Sequence, residues 1–212
     1  MFKTQELPAS SNQNWRQMLE DEYQGRQTYA FSKGFNVPLH IHDIWIVCRG
    51  VVQICTLDSE GQESILGLAC PDMPFGPPLT QIKAYEAIAL TDVVLMRIEQ
   101  SELERSPLLA QRILIQLNRR FQQTEALLSI VHHRLIRKRI EQLLLLLARE
   151  VGEMTPEGVR ICVRFTHQQI ANLTGTSRVT ASRILSSLRK EGWMSVDQTS
   201  HFVIHDSAVS ES

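Results

Sequence analysis

Two hydrophobic periods divide the chain. From residue 28 to about 98, apolar residues come in short runs of the β type. Ile44-Trp45-Ile46-Val47-Cys48 is followed by Arg49-Gly50, then by Val51-Val52-Gln53-Ile54-Cys55-Thr56-Leu57. Residues 58–61 (Asp-Ser-Glu-Gly) read as a turn, residues 64–68 resume the apolar run, and 87–90 and 93–98 close the series. Short strands at this spacing, punctuated by Gly, Pro and Asp, predict an antiparallel barrel or jelly roll. Residues 71–78 hold Pro71, Pro74, Pro77 and Pro78. Proline cannot donate to a sheet ladder, so this stretch is expected to be an ordered loop, at a pocket if one exists.

From about residue 107 to 131 the period becomes helical. Leu114, Leu117, Phe121, Thr124, Leu128, Val131 and Leu135 step alternately by three and four, and only Thr124 is polar. A sustained 3.5 period is the seam of a helix packed on a partner helix, and a second copy of the chain supplies that partner. An amphipathic helix lying on its own domain is the alternative. A second helix is expected at 134–151, with Gly152 as its stop, and a strand at 161–165. Residues 1–26 read as a polar lead with a short helix at 15–23.

Charge sharpens the division. The 212 residues are 43% hydrophobic, with 22 Lys and Arg against 23 Asp and Glu for a net charge of −1. Residues 1–100 carry 7 basic and 12 acidic side chains, whereas 101–212 carry 15 and 11. Residues 164–190 contain Arg164, Arg178, Arg183, Arg189 and Lys190 and no acid. A local basic patch on a near-neutral chain suits sequence-specific DNA binding rather than a uniformly basic coat. The four cysteines, Cys48, Cys55, Cys70 and Cys162, form no CxxC pair or zinc-type cluster. Cys48 and Cys55 lie in apolar runs and are expected to be buried thiols. Neither a disulfide framework, a bound metal nor a cofactor is expected. The first 14 residues lack the basic and apolar regions of a secretory leader. The longest greasy run, residues 143–148, is far too short to span a bilayer. A cytoplasmic protein with no membrane partner is the expectation.

The densest chemistry lies at 166–185. Thr166 is a good N-cap, Ile170, Ala171 and Leu173 give a first helix its buried face, and Gly175 can take the positive φ of a sharp turn. Ser177 caps a second helix, with Ala181, Ile184, Leu185 and Leu188 inward. Arg178, Val179, Ser182 and Arg183 face outward at its N-terminal end, the part of a recognition helix that enters the major groove. Arg178 can make a bidentate contact to guanine, and Val179 offers apolar contact to a thymine methyl. Thr166, His167, Ser177 and Thr180 can fix register on phosphates, with Gln168 and Thr176 beside them. Residues 193–196 and 201–204, joined by a polar turn at 197–200, read as a β-hairpin wing. His40 and His42 alternate on one strand and are read as surface histidines; His132 and His133, near the end of the central helix, are similarly unspecific, and a cationic His there favours the helix C-terminus.

Strands, a heptad helix, a second helix and a winged helix-turn-helix, in that order, resemble the Crp/Fnr superfamily of bacterial transcription regulators. The resemblance covers about residues 28–205 and is strongest at 165–196. Thr-Ser-Arg-Val-Thr at 176–180, Tyr-Glu-Ala-Ile-Ala-Leu-Thr at 85–91, Ile-Glu-Gln at 98–100, Gln-Thr-Glu at 123–125 and residues 143–149 look most like the cyanobacterial global nitrogen regulator subgroup. The resemblance implies an α+β chain with an N-terminal jelly-roll sensor-like domain (1–106), a dimerisation helix (107–133) and a DNA-binding domain (134–212). It also implies a homodimer on double-stranded DNA with GTA and TAC arms, RNA polymerase as a partner, and no enzymatic activity.

The effector pocket departs from every pattern the resemblance offers. Cyclic-AMP-binding members carry Gly-Glu after the Phe-Gly and an Arg further on. Here Phe75-Gly76 is followed by Pro77-Pro78, and no Arg lies between Arg49 and Arg97. Oxygen-sensing members carry an N-terminal cysteine cluster, and no Cys precedes Cys48. Nitrogen regulators bind 2-oxoglutarate, a small carboxylate, and Arg120 and Glu125 match their helix pair. Lys83 stands where a loop Arg belongs and lacks the bidentate fork. Pro77 and Pro78 offer no N–H. Phe75, Gly76, Lys83, Arg120 and Glu125 therefore mark a degenerate or altered pocket, with Arg120 and Glu125 either ligands or a salt bridge beside the seam. The rival from another class is a cupin-type metalloenzyme using His40 and His42, which lacks a third barrel His before His132.

Overall fold

The computed structural model describes residues 27–57, 59 and 63–205; the helix expected at 15–23 lies outside them. Seven strands precede the first helix: β1 (Thr28–Phe31), β2 (Asp43–Arg49), β3 (Val52–Leu57), β4 (Glu63–Ala69), β5 (Pro74–Phe75), β6 (Tyr85–Ala89) and β7 (Val93–Glu99). They form two antiparallel sheets, ordered β1-β7-β2-β5 and β4-β3-β6. The unbroken apolar run in β2 has a structural reason. Trp45 and Val47 enter the core between the sheets with Leu95 and Phe75, while Ile44 and Ile46 point the other way and pack with Met96, Ile98, Leu109 and Ile113. A strand covered on both faces needs no polar alternation.

The proline-rich stretch, expected to be an ordered loop, contains a two-residue strand at the edge of its sheet. Pro74 and Phe75 pair with Ile46 and Trp45, and Pro77–Leu79 form a 3-10 turn behind Gly76. Gly76 has φ 144°, and a Cβ there would stand 2.4 Å from the Asp43 carbonyl, so only glycine fits.

Two helices follow, α1 (Gln100–Arg105) and α2 (Pro107–His132), the first unsignalled by the sequence pattern. Ser106 caps α2 by accepting from the Leu109 N–H, and Pro107 occupies its first position. One face of α2 lies on its own domain through Leu109, Ile113, Gln116, Gln123 and Ile130. Gln123 Oε1 accepts from the Leu68 N–H at 2.8 Å, and the approach is so close that a Cβ on Gly67 would meet that same oxygen at 2.9 Å.

The chain leaves helical geometry at residues 133–135 and re-enters it in α3 (Ile136–Val151). Leu135 therefore does not continue the seam of α2, as the heptad count predicts; it precedes α3 as an N-cap without a side-chain bond. Gly152 ends α3 as expected. The strand expected at 161–165 lies earlier, as β9 (Gly158–Ile161), hairpin-paired with β8 (Gly152–Thr155). After α4 (His167–Thr174) and α5 (Arg178–Lys190), the wing strands β10 (Met194–Val196) and β11 (Phe202–Ile204) complete a sheet ordered β10-β11-β9-β8. Among the described residues no helix is long and apolar enough to cross a membrane.

Candidate nucleic-acid interface

The local sequence builds the α4–turn–α5 unit bond by bond. Thr166 accepts from the Gln169 N–H while the Gln169 side chain reaches back to the Thr166 N–H, a capping box. Gly175 takes the left-handed conformation, φ 62° and ψ 44°, and its N–H closes on carbonyls of α4. Ser177 then caps α5 by accepting from the Thr180 N–H at 3.2 Å. Ile170, Ala171 and Leu173 of α4 meet Ala181, Leu185 and Leu188 of α5 in one buried core, with Ile184 packed at its edge.

What is left outside is the N-terminal end of α5. Arg178 and Arg183 are exposed, and Val179 is 79% exposed, a large apolar side chain held out in solvent. Thr166, His167, Gln168 and Ser177 are also exposed, whereas Thr176, Thr180 and Ser182 are half-buried. Two expected contact residues are already engaged with one another. His167 Nδ1 and Ser182 Oγ lie 2.8 Å apart and tie the two helices together. Gln168 donates to Asn172 along α4 at 2.7 Å. Neither helix has an acid in its first turn, an arrangement that favours phosphate at the N-terminus.

The wing is braced by a residue that sequence reasoning missed. Arg160 on β9 donates to Asp197 Oδ2 at 2.7 Å and to Glu153 at 2.8 Å, with Thr199 and His201 also in reach. Asp197 also accepts from the N–H groups of Thr199 and His201, and its carboxyl lies well below the usual carboxylate range, chiefly through Arg160. His201 is pushed down by burial and by the nearby Arg160 charge. Asp197 and His201 lie 37 and 41 residues from Arg160, a separation no local pattern reveals.

Of the residues expected at an effector pocket, one pair is brought together within the chain: Arg120 reaches the strand that carries Phe75. Phe75 and Gly76 are buried beside β2, and Lys83 is exposed on the following loop. Arg120 donates to the Pro74 carbonyl at 2.9 Å. Glu125 is exposed and lies five residues on, about 140° around the helix. On the outer face of α2, Leu114, Phe121, Thr124 and Leu128 are exposed, while Leu117 and Val131 are half-buried. His40 and His42 border a cleft of about 710 Å³ with Asp43, Arg97, Glu99 and Glu104. Among the described residues no group of three or more His, Cys, Asp or Glu is placed to hold a metal ion. Cys55 and Cys70 are buried, and burial pushes both thiols up to about 12, whereas Cys48 is only half-buried and Cys162 is exposed.

Residues 138–208 match the Crp-like helix-turn-helix domain. A global nitrogen regulator from Synechocystis is 31% identical over 178 residues, 79% of this chain and 79% of its own length. The chain belongs to the Crp/Fnr family of transcription regulators. Within that family it is similar also to the regulatory protein CysR of Synechococcus elongatus, at 33% identity over 74% of this chain and 73% of that one. The crystal structure of a CRP-family regulator from Thermus thermophilus superposes with a TM-score of 0.73 over 86% of this chain and 94% of that one, at 23% identity. These relatives fix the activity class as DNA-binding transcription regulation.

Proposed function

We propose that this Crp/Fnr chain acts in the cytoplasm as a homodimer. It reads a palindromic promoter site with GTA and TAC arms through α5 and serves RNA polymerase from there. The observation that carries the reading is the outward end of α5, where Arg178, Val179 and Arg183 stand free of any acid in the first turn. A guanidinium there suits guanine O6 and N7, and Val179 suits a thymine methyl. Dimerisation is supported by the double-sided α2: one face is committed to its own domain, and the other presents Leu114, Phe121 and Leu128 at heptad spacing to solvent.

In a parallel pair of such helices, Arg120 falls at a g position and Glu125 at the e position of the next heptad, which face each other across the seam. That geometry supports an inter-subunit ion pair or a shared acid-binding site. With Arg120 already held by Pro74 and with Pro77 and Pro78 lacking N–H donors, we favour DNA binding without added effector. The test is titration of labelled duplexes. Wild type should prefer a GTA/TAC palindrome over scrambled DNA. Arg178→Ala should cost about 1–3 kcal/mol per contact and relax specificity at one base of each arm. Arg164→Ala should weaken all sequences alike and flatten the salt dependence. Equal loss on specific and random DNA for Arg178→Ala would remove it from the reading helix.

A further inference from the structure

Arg139 sits in the first turn of α3, and its side chain turns back to two different helix ends. Its Nε donates to the His133 carbonyl at 2.7 Å, and its Nη1 to the Thr174 carbonyl at 3.2 Å. His133 is the C-cap of α2, and Thr174 is the last residue of α4. Carbonyls at helix C-termini lack intrahelical donors and carry the negative end of the helix dipole. A cation donating to both satisfies two helices at once. Neither bond goes to a carboxylate, so the charge is directed at the carbonyls. The guanidinium also lies beside the helix-turn-helix corner: a Cβ on Gly175 would stand 3.7 Å from Nη1.

The place of this contact gives it consequence. The helix that carries the apolar seam ends at His132, and the DNA-reading unit begins beyond a three-residue break, 133–135. Within the break the backbone bonds run only back to α2, from the His133 N–H to Ile130, and forward into α3, from the Arg139 N–H to Leu135, and the apolar Leu135 side chain adds no cap bond. Arg139 spans it from the far side and fixes the end of α2 to the end of α4. We infer that Arg139 is a positioning residue: it holds the reading unit at a set angle to the dimerisation helix and thereby sets the half-site separation the dimer accepts. This rests on the dimer-on-palindrome reading above, in which two recognition helices must fall about 34–36 Å apart, one helical turn of DNA. Arg178 and Val179 decide which bases are read; Arg139 decides how far apart the two copies read them.

The experiment uses full-length wild type, Arg139→Met and Arg139→Lys. Anisotropy titrations cover duplexes with the two arms at the preferred spacer, the same arms with one base pair removed or added, and a duplex with a single arm. Wild type should favour one spacer. Arg139→Met removes both charge-assisted bonds, so its spacer preference should fall by about tenfold. Its single-arm affinity, and its discrimination at the base facing Arg178, should remain those of wild type. Arg139→Lys keeps the charge but can serve one carbonyl at a time, so it should recover part of the preference, and it decides the matter if the Met variant fails to fold. A variant that keeps the full spacer preference overturns the inference. So does equal loss on single-arm and palindromic DNA, which would make Arg139 a mere fold-holding residue. Wild type with no spacer preference would overturn the palindrome reading and this inference together, whereas preference retained by the variants overturns this inference alone.

Discussion

Replacing Leu128 with Glu should convert the dimer into a monomer without unfolding the chain. Leu128 is 58% exposed in the single chain, beside Phe121 at 60% and Leu114 at 66% along the same face. Burying a leucine completely is worth about 1.5–3 kcal/mol, so covering the exposed half yields about 1–1.5 kcal/mol per chain and about 2–3 per dimer. Glutamate loses that gain. It also brings two carboxylates together at a central seam position, where like charges about 5 Å apart cost about 3 kcal/mol at an effective dielectric constant near 20. The total, about 5 kcal/mol, weakens association by more than a thousandfold, so a nanomolar dimer becomes micromolar or weaker. Sedimentation equilibrium over nanomolar to micromolar concentrations reads this directly, with circular dichroism confirming the fold. Leu128→Ala should cost only the apolar part. An unchanged dissociation constant for Leu128→Glu would show that this face of α2 is not the interface.

The effector expectation is equally direct. Pro77 and Pro78 offer no N–H and Lys83 lacks the bidentate fork of an arginine, so calorimetry with 2-oxoglutarate should show little heat at sub-millimolar concentration. Micromolar binding abolished by Arg120→Ala would instead make the chain a nitrogen-status sensor. The wing should carry a pH signature. The carboxyl of Asp197 is lowered by Arg160, so its contribution to stability is present above the ordinary carboxylate range, about pH 4, and is lost as pH falls towards the lowered folded value. Asp197→Asn should therefore melt below wild type at neutral pH, with the gap closing as the solution is acidified; parallel curves would remove Asp197 from the wing's support.

Where local chemistry dictated geometry, the sequence was a reliable guide. Thr166, Gly175 and Ser177 each act within three or four residues of themselves, and all three do what their side chains predict. The strand runs were legible for the same reason, and so was most of α2, since short apolar runs between turn residues and a period of three to four are properties of single elements. The heptad pattern failed at Leu135 because it is blind to the backbone. Apolar spacing continues through 133–135 although the helix does not, and His133, outside the seam, takes an extended conformation that ends it. The pattern also showed only one of the two faces of α2. The inward face includes Gln116 and Gln123, polar residues that hydrophobic counting assigns to solvent, and Gln123 is buried because it satisfies the Leu68 N–H.

The candidate site divides along the same line. The outward placement of Arg178, Val179 and Arg183 could be picked out because exposure along α5 follows helical phase from the Ser177 cap. Arg139 and Arg160 could not, and the reasons differ. Arg160 finds its carboxylate Asp197 on the wing turn 37 residues away, a pairing made by the folded sheet and not by spacing. Arg139 is harder still, because its partners are carbonyls, which every residue carries and no sequence pattern marks. Base-reading residues must project and therefore follow helical phase. Residues that hold one element against another answer to unsatisfied backbone groups at element ends, and these exist only once the chain has folded. For the dimer proposed above, whose output would depend on where two reading heads fall on DNA, the second kind would decide as much as the first.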